Sequence, residues 1–192
     1  MTQSSLSICV FCGSSEGLNQ AHMQLAARLG TKIATRGDRL VYGGGGIGLM
    51  GAAARAAHEN GADVLGIIPE VLAKIEQTFT EVTHEVVADM HTRKRRMYEE
   101  SSAFIVLPGG IGTLEEAVEM LSWQRLNLHN KPLVFLSNTG YWDGFLQGLS
   151  QIIEDGFAPE SFRDVILSAN SVQQAFDMIE RAISATPQKH KL

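Results

Sequence analysis

The chain has 192 residues, enough for one domain with a sizeable core, and its 44% apolar content argues against disorder. The net charge of -5 and a pI near 5.7 are unlike a non-specific nucleic-acid binder, although one basic patch at 93–96 interrupts the acidic average. No apolar run reaches the ~18 residues that span a bilayer, and the N-terminus lacks a charged-then-apolar signal pattern, so the expectation is a soluble cytoplasmic protein with no nucleic-acid or membrane partner.

In chain order, residues 6–11 read as a buried strand, followed by a CGSS loop at 12–15. A helix follows over 19–36, with Met23, Ala26, Ala27, Ile33 and Ala34 on its apolar face and Gly37 as its stop. A short strand at 40–42 leads into GGGGIGLMG at 43–51, and an Ala-rich helix at 48–60 ends at Gly61. The third strand, 64–68, stops at Pro69, and 70–83 has no clear period and reads as a loop near the ligand. Then come a strand at 84–88, a basic helix at 89–100, a strand at 103–107, a glycine loop from Pro108, and a helix from Thr113 to about 128. A strand at 132–136, a helix at 141–155, a short strand at 165–167 and a helix from the Ser171 cap to 183 complete the domain, taken as 1–185, with 186–192 as a frayed tail. Strands and helices alternate with no tandem hairpins. That pattern predicts an α/β fold: a doubly wound, Rossmann-like parallel sheet in a single domain, with ligands beyond the carboxyl ends of the strands.

Cys9 and Cys12 have C-x-x-C spacing but sit in an apolar run, where positions three apart face opposite sides of a strand. No second pair completes a zinc site, and the histidines show no ligand spacing, so buried free thiols and no metal are expected. The cluster at 43–51 holds G-x-G-x-x-G twice, at Gly43, Gly45, Gly48 and at Gly46, Gly48, Gly51, with Glu70 about 20 residues on. That is the NAD fingerprint in outline; the plainer reading is a tight strand–helix turn with close packing.

The stretch LPGGIGTLEEAVE at 107–119 passes from strand to glycine loop to helix start, the way α/β folds build an anion site from free N–H groups and the helix dipole. It lacks the G-K-[ST] of a P-loop. Thr113 and Glu116 fit a capping box, with Thr113 as N-cap; equally, Glu116 is a carboxylate kept ionised in the first turn and aimed at a phosphate site. Glu115 points elsewhere, and Glu119, one turn deeper, reads as surface. In MHTRKRRM at 90–97, Met90, Arg93, Lys94 and Met97 share one side, while Arg95 points away. The run is either a solvated basic face or a place where Arg93 forks an oxyanion.

Together PGGIGTLEE, MHTRK, CGSS, YGGGGIGLMG, the IIP strand end, W-x-x-L and the DGF turn resemble the LONELY GUY family of cytokinin-activating phosphoribohydrolases across nearly the whole chain. The resemblance implies a homodimer that hydrolyses N6-modified adenosine 5′-monophosphates to free base and ribose 5-phosphate, without cofactor or metal. It implies catalytic roles for Arg93 and Glu116. Lys94, Gly110, Ile111, Gly112, Thr113, Leu114 and Glu115 would bind the nucleotide, with Glu76 and Ser122 as further substrate contacts; Ser122 stands where relatives often carry Thr. Gly13, Ser14, Gly44, Gly45, Gly46 and Met90 would line the phosphate and nucleotide. The alternative is a non-catalytic carrier of a phosphorylated cofactor such as molybdenum cofactor, which needs the loops but not the carboxylate.

Overall fold

A computed structural model describes residues 5–185; the expected tail at 186–192 lies outside them. Seven strands form one all-parallel sheet: β1 (Ser7–Phe11), β2 (Arg39–Tyr42), β3 (Val64–Pro69), β4 (Thr83–Val87), β5 (Ala103–Val106), β6 (Leu133–Leu136) and β7 (Leu167–Ala169). Their order is β4-β3-β2-β1-β5-β6-β7. The chain therefore winds outward from β1, returns, and winds out the other way, leaving a switch point between β1 and β5 where such sheets bind ligands.

Alternation along β1 explains the two layers of core. Ile8, Val10 and Cys12 face α1 (Gln20–Thr35), α2 (Gly48–Glu59) and α7 (Val172–Ala185). Cys9 and Phe11 face α4 (Met90–Glu99), α5 (Ile111–Arg125) and α6 (Asp143–Glu154). The two cysteines are buried and free, on opposite faces as expected. No helix among the described residues is long and apolar enough to cross a membrane.

Three boundaries differ from the sequence reading. Segment 70–83 is not wholly a loop: α3 (Glu70–Ala73) opens it, and Thr78 bridges to Gly45. The late strand is β7, because a 3-10 helix, Glu160–Val165, takes up the residues expected to begin it. Helix α5 starts at Ile111 and ends at Arg125, with Gly110 as N-cap.

Helices α1 and α2 pack closely through Gly30, where a Cβ would collide with the Ala53 carbonyl oxygen. Gly148, on the exposed side of α6, has nothing within 4 Å of such a Cβ. In urea unfolding, Gly30→Ala is expected to lose about 1–3 kcal/mol by overpacking, and Gly148→Ala to gain up to ~1 kcal/mol from helix propensity.

Candidate active site

Three loops meet at the carboxyl edge of the sheet, and the first ties the others together. The Gly13 N–H donates to the Pro108 carbonyl at 3.0 Å. The Gly13 carbonyl accepts from Leu49 and Met50 N–H at 3.1 and 3.3 Å, closing the start of α2. Donors that a dinucleotide-binding helix would offer a pyrophosphate are thus spent on protein. The G-x-G-x-x-G spacing marks a tight turn with close packing, not a cofactor loop: a Cβ on Gly48 would stand 2.5 Å from Ser14 backbone.

The start of α5 is different. Among the described residues, the N–H groups of Ile111, Gly112 and Thr113 have no acceptor, and Leu114 N–H makes the first helical bond, to Gly110. Gly110 and Gly112 are open on their Cβ sides. A helix of 15 residues therefore presents a bare positive end. Beside it lies a crevice of about 210 Å³ lined by Gly13, Ser15, His22, Pro108, Gly110 and Tyr141. Tyr141 Oη donates to the Gly109 carbonyl at 2.7 Å and Trp142 Nε1 to the Val106 carbonyl at 3.1 Å, so the start of α6 braces this loop. A larger groove of about 630 Å³ between α1 and α7 contains none of the candidate residues.

Arg93 and Glu116 form a buried ion pair across α4 and α5, Nη1 to Oε1 at 2.6 Å. Each is only 4% exposed. Arg93 Nε also donates to the Ile67 carbonyl at 3.0 Å, at the end of β3. Its Nη2 reaches the Gly43 carbonyl at 3.5 Å, and Gly43 is bare because a Cβ there would strike Nη2. The guanidinium is thus held on three sides. The hydrogen bond from Arg93 falls on Oε1, and among the described residues none is made to Oε2. Burial pushes the Glu116 carboxyl above its usual range, against the pull of Arg93. Burial also pushes the Cys9 and Cys12 thiols up, with Glu116 adding to the effect.

The capping-box reading fails because Gly110, not Thr113, is the N-cap. Thr113 is a buried third residue of α5, and Glu116 sits in the second turn rather than the first. Glu119 is not simply surface either: Lys94 bonds Glu115 and lies 3.0 Å from Glu119. Burial opposes the charge on Lys94, but these two partners outweigh it and raise its pKa. Lys94 and Glu115 thereby clamp α4 to α5.

Of the remaining expected residues, Ser14, Gly44, Gly45 and Gly46 lie in the two neighbouring loops. Glu76 reaches them, its Oε2 being 3.3 Å from where a Gly45 Cβ would stand. Met90 is half-exposed at the first turn of α4. The Leu114 side chain is partly buried against the core. Ser122 is exposed, about 9 Å further along α5 than Glu116, and does not join the loops. The sequence reading missed His84, whose ring nitrogens lie 3.1 Å from the Val82 carbonyl and 3.2 Å from that of Gly44. It gave no distinct signal, since it sits between Thr83 and Glu85 in a strand that is polar over its first three residues.

Removing one partner of the pair leaves an uncompensated buried charge. Arg93→Met is expected to lose about 3–5 kcal/mol in urea unfolding, and adding Glu116→Gln to recover part of it. Without Arg93, burial, the largest influence on Glu116, loses its main opponent, so the folded state holds the proton more tightly than the unfolded chain. The single-variant deficit is then smallest in acid and grows as pH rises through and above the carboxyl range.

A family model described as possible lysine decarboxylase matches residues 50–179. Two proteins of Arabidopsis thaliana, both named cytokinin riboside 5′-monophosphate phosphoribohydrolase, are 44% and 43% identical over 175 residues, covering 90% of this chain and 81% of each relative. Among solved structures, a molybdenum cofactor binding protein from Rippkaea orientalis is similar with a TM-score of 0.71 at 22% identity, covering 94% of this chain and 99% of that one; at that identity the likeness is one of fold. Matches of this extent place the chain by sequence as well as by architecture: it belongs to the LONELY GUY family, the group whose model carries the lysine decarboxylase description.

Proposed function

We propose that this protein hydrolyses the N-glycosidic bond of adenosine 5′-monophosphates, including N6-modified ones, to release the free base and ribose 5-phosphate. The observation that carries this reading is the pairing of a bare α5 terminus with a buried carboxylate one turn further along the same helix. The 5′-phosphate would accept from the N–H groups of Gly110 to Thr113, which selects nucleotides over nucleosides. Fixing the phosphate there holds the ribose towards Glu116.

Cleavage of the C1′–N bond leaves its electrons on the base and positive charge on the ribose. A carboxylate beside C1′ stabilises that charge and takes a proton from the attacking water, whose oxygen bonds C1′. The departing base takes up a proton in turn. Glu116 fits this role through Oε2, which Arg93 does not engage, while Arg93 holds Oε1 and fixes the carboxylate's direction. No step requires a metal or redox cofactor. The carrier reading gains no support of its own, since a carrier has no use for a buried carboxylate.

A homodimer fits the exposed apolar residues on the outer side of α5, Ile111, Val118 and Leu126. Ser122 is exposed on the same helix, so its contribution would belong to the paired state.

Incubation with AMP and isopentenyl-AMP is expected to release ribose 5-phosphate, and adenosine to release almost no ribose; absence of product from both nucleotides refutes the assignment. Glu116→Gln is expected to lower kcat by about 10²–10⁴-fold while the protein stays folded. Because the acid must be ionised, the acid limb of the wild-type kcat/KM profile should lie above the ordinary carboxyl range, activity rising with pH through it. In size-exclusion chromatography Val118→Asp should elute as a smaller species than the wild-type protein.

A further inference from the structure

Segment 74–82 crosses the second glycine loop as a strap, and α2 holds it from behind. Gly46 N–H donates to the Gln77 carbonyl at 2.6 Å, and Gly45 and Thr78 form an antiparallel bridge. A Cβ on Gly46 would stand 2.8 Å from the Gln77 oxygen, the Phe79 nitrogen and the Thr78 carbonyl carbon, so only a bare residue admits the strap. On the far side, Arg55 Nη1 donates to the Gly46 carbonyl at 2.7 Å, and its guanidinium carbon lies 6.0 Å from the Phe79 ring centroid. His58, one turn on and on the same face of α2, meets the Phe79 ring edge-on with centroids 5.7 Å apart. Gly46 is thus gripped through both of its peptide groups, its N–H by the strap and its carbonyl by Arg55.

The strap carries Glu76. Its backbone N–H is tied behind to the Leu72 carbonyl at 2.8 Å, and the next residue is the one bonded to Gly46. With both neighbours pinned, the carboxylate is presented over Gly45, on the same glycine run that supports Arg93 through Gly43. We infer that Arg55 is a positioning residue for substrate recognition, acting with Phe79 to hold the strap so that Glu76 faces the nucleotide. Arg55 touches no substrate itself. Its hydrogen bond fixes the 46–47 peptide, while the Gly46 N–H, on the adjoining peptide, is held by Gln77, so the two bonds together set the backbone at Gly46. Its guanidinium and the His58 ring close two sides of Phe79, which is the strap's apolar foot. A free strap of this length would sample many backbone states, and ordering it would cost each binding event. The clamp meets that cost before the substrate arrives.

The inference rests on the hydrolase reading for Glu76, but its structural half stands apart from catalysis. Two measurements separate them. Amide hydrogen exchange on the free protein should be about tenfold faster at Gly46 in Arg55→Ala than in wild type, as expected for the loss of one hydrogen bond, with α5 amides unchanged. In steady-state assays with AMP, Arg55→Ala should raise KM about tenfold with kcat within threefold, and Arg55→Lys should recover part of the loss. Combined with Glu76→Gln, the Arg55→Ala change should add almost nothing to KM, because the carboxylate it positions is already gone. Phe79→Leu, which keeps the hydrogen bond and removes the ring, should give a milder form of the same pattern and serves if Arg55→Ala fails to fold. Unchanged exchange at Gly46 overturns the clamp. Faster exchange with unchanged KM, or full additivity with Glu76→Gln, overturns the positioning role. A wild-type protein inactive on every nucleotide refutes the hydrolase assignment while exchange still decides the clamp.

Discussion

Everything at the carboxyl edge of the sheet is arranged around one buried ion pair, Arg93 with Glu116. A carboxylate and a guanidinium, each 4% exposed, are costly to desolvate, and the cost is met only where every donor has a target. Arg93 meets much of this cost by giving each of its three side-chain nitrogens an acceptor: the Ile67 carbonyl, Glu116 and, at 3.5 Å, the Gly43 carbonyl. That requirement explains why the second glycine run begins as it does: the chain must pass against a flat cation, and any side chain at Gly43 would occupy its place. It also explains why α4 and α5 are clamped a second time, by Lys94 with Glu115 and Glu119. A pair that cannot move leaves Glu116 with one oxygen committed and the other available. Such an asymmetry suits a carboxylate that must receive charge in one direction.

The two glycine clusters look alike on paper and do opposite things. At α2 the carbonyl of Gly13 takes the first-turn donors, and glycine serves close packing. At α5 the donors remain free, and glycine keeps the approach to them open. The free helix-start N–H groups lie at α5, not at the cluster with the better-known spacing. The strap across the first of these clusters gives it a second use, as the bed on which residues 74–82 lie.

Much of this was legible beforehand, and the failures have definite causes. The central strands β1, β2, β3, β5 and β6 could be read because buried parallel strands are short apolar runs. The late strand slipped because Val165 and Ile166 suit either a strand or the end of a 3-10 turn, and Pro159 had already started that turn. The helix start at 113 was set too late. Thr and Glu three apart imitate a capping box, while the true cap, Gly110, has no side chain to announce it. Segment 70–83 was illegible because its order comes from Gly46, Arg55 and His58 rather than from any period of its own.

Local chemistry alone therefore settled the alternation of elements, the two-faced sheet and the placing of Cys9 and Cys12 on opposite sides; for Arg93 and Glu116 it left two readings each, and the family resemblance made the choice. What it settled follows from a periodicity or spacing within a short stretch of chain. Only the assembled fold decided that those two side chains meet, that Lys94 is spent on α5, that the α2 terminus is filled while the α5 terminus is bare, and that Ser122 stands apart. Whether a donor is free depends on which carbonyl from a distant part of the chain comes to rest beside it. That is a property of packing in three dimensions, with no counterpart in the order of residues.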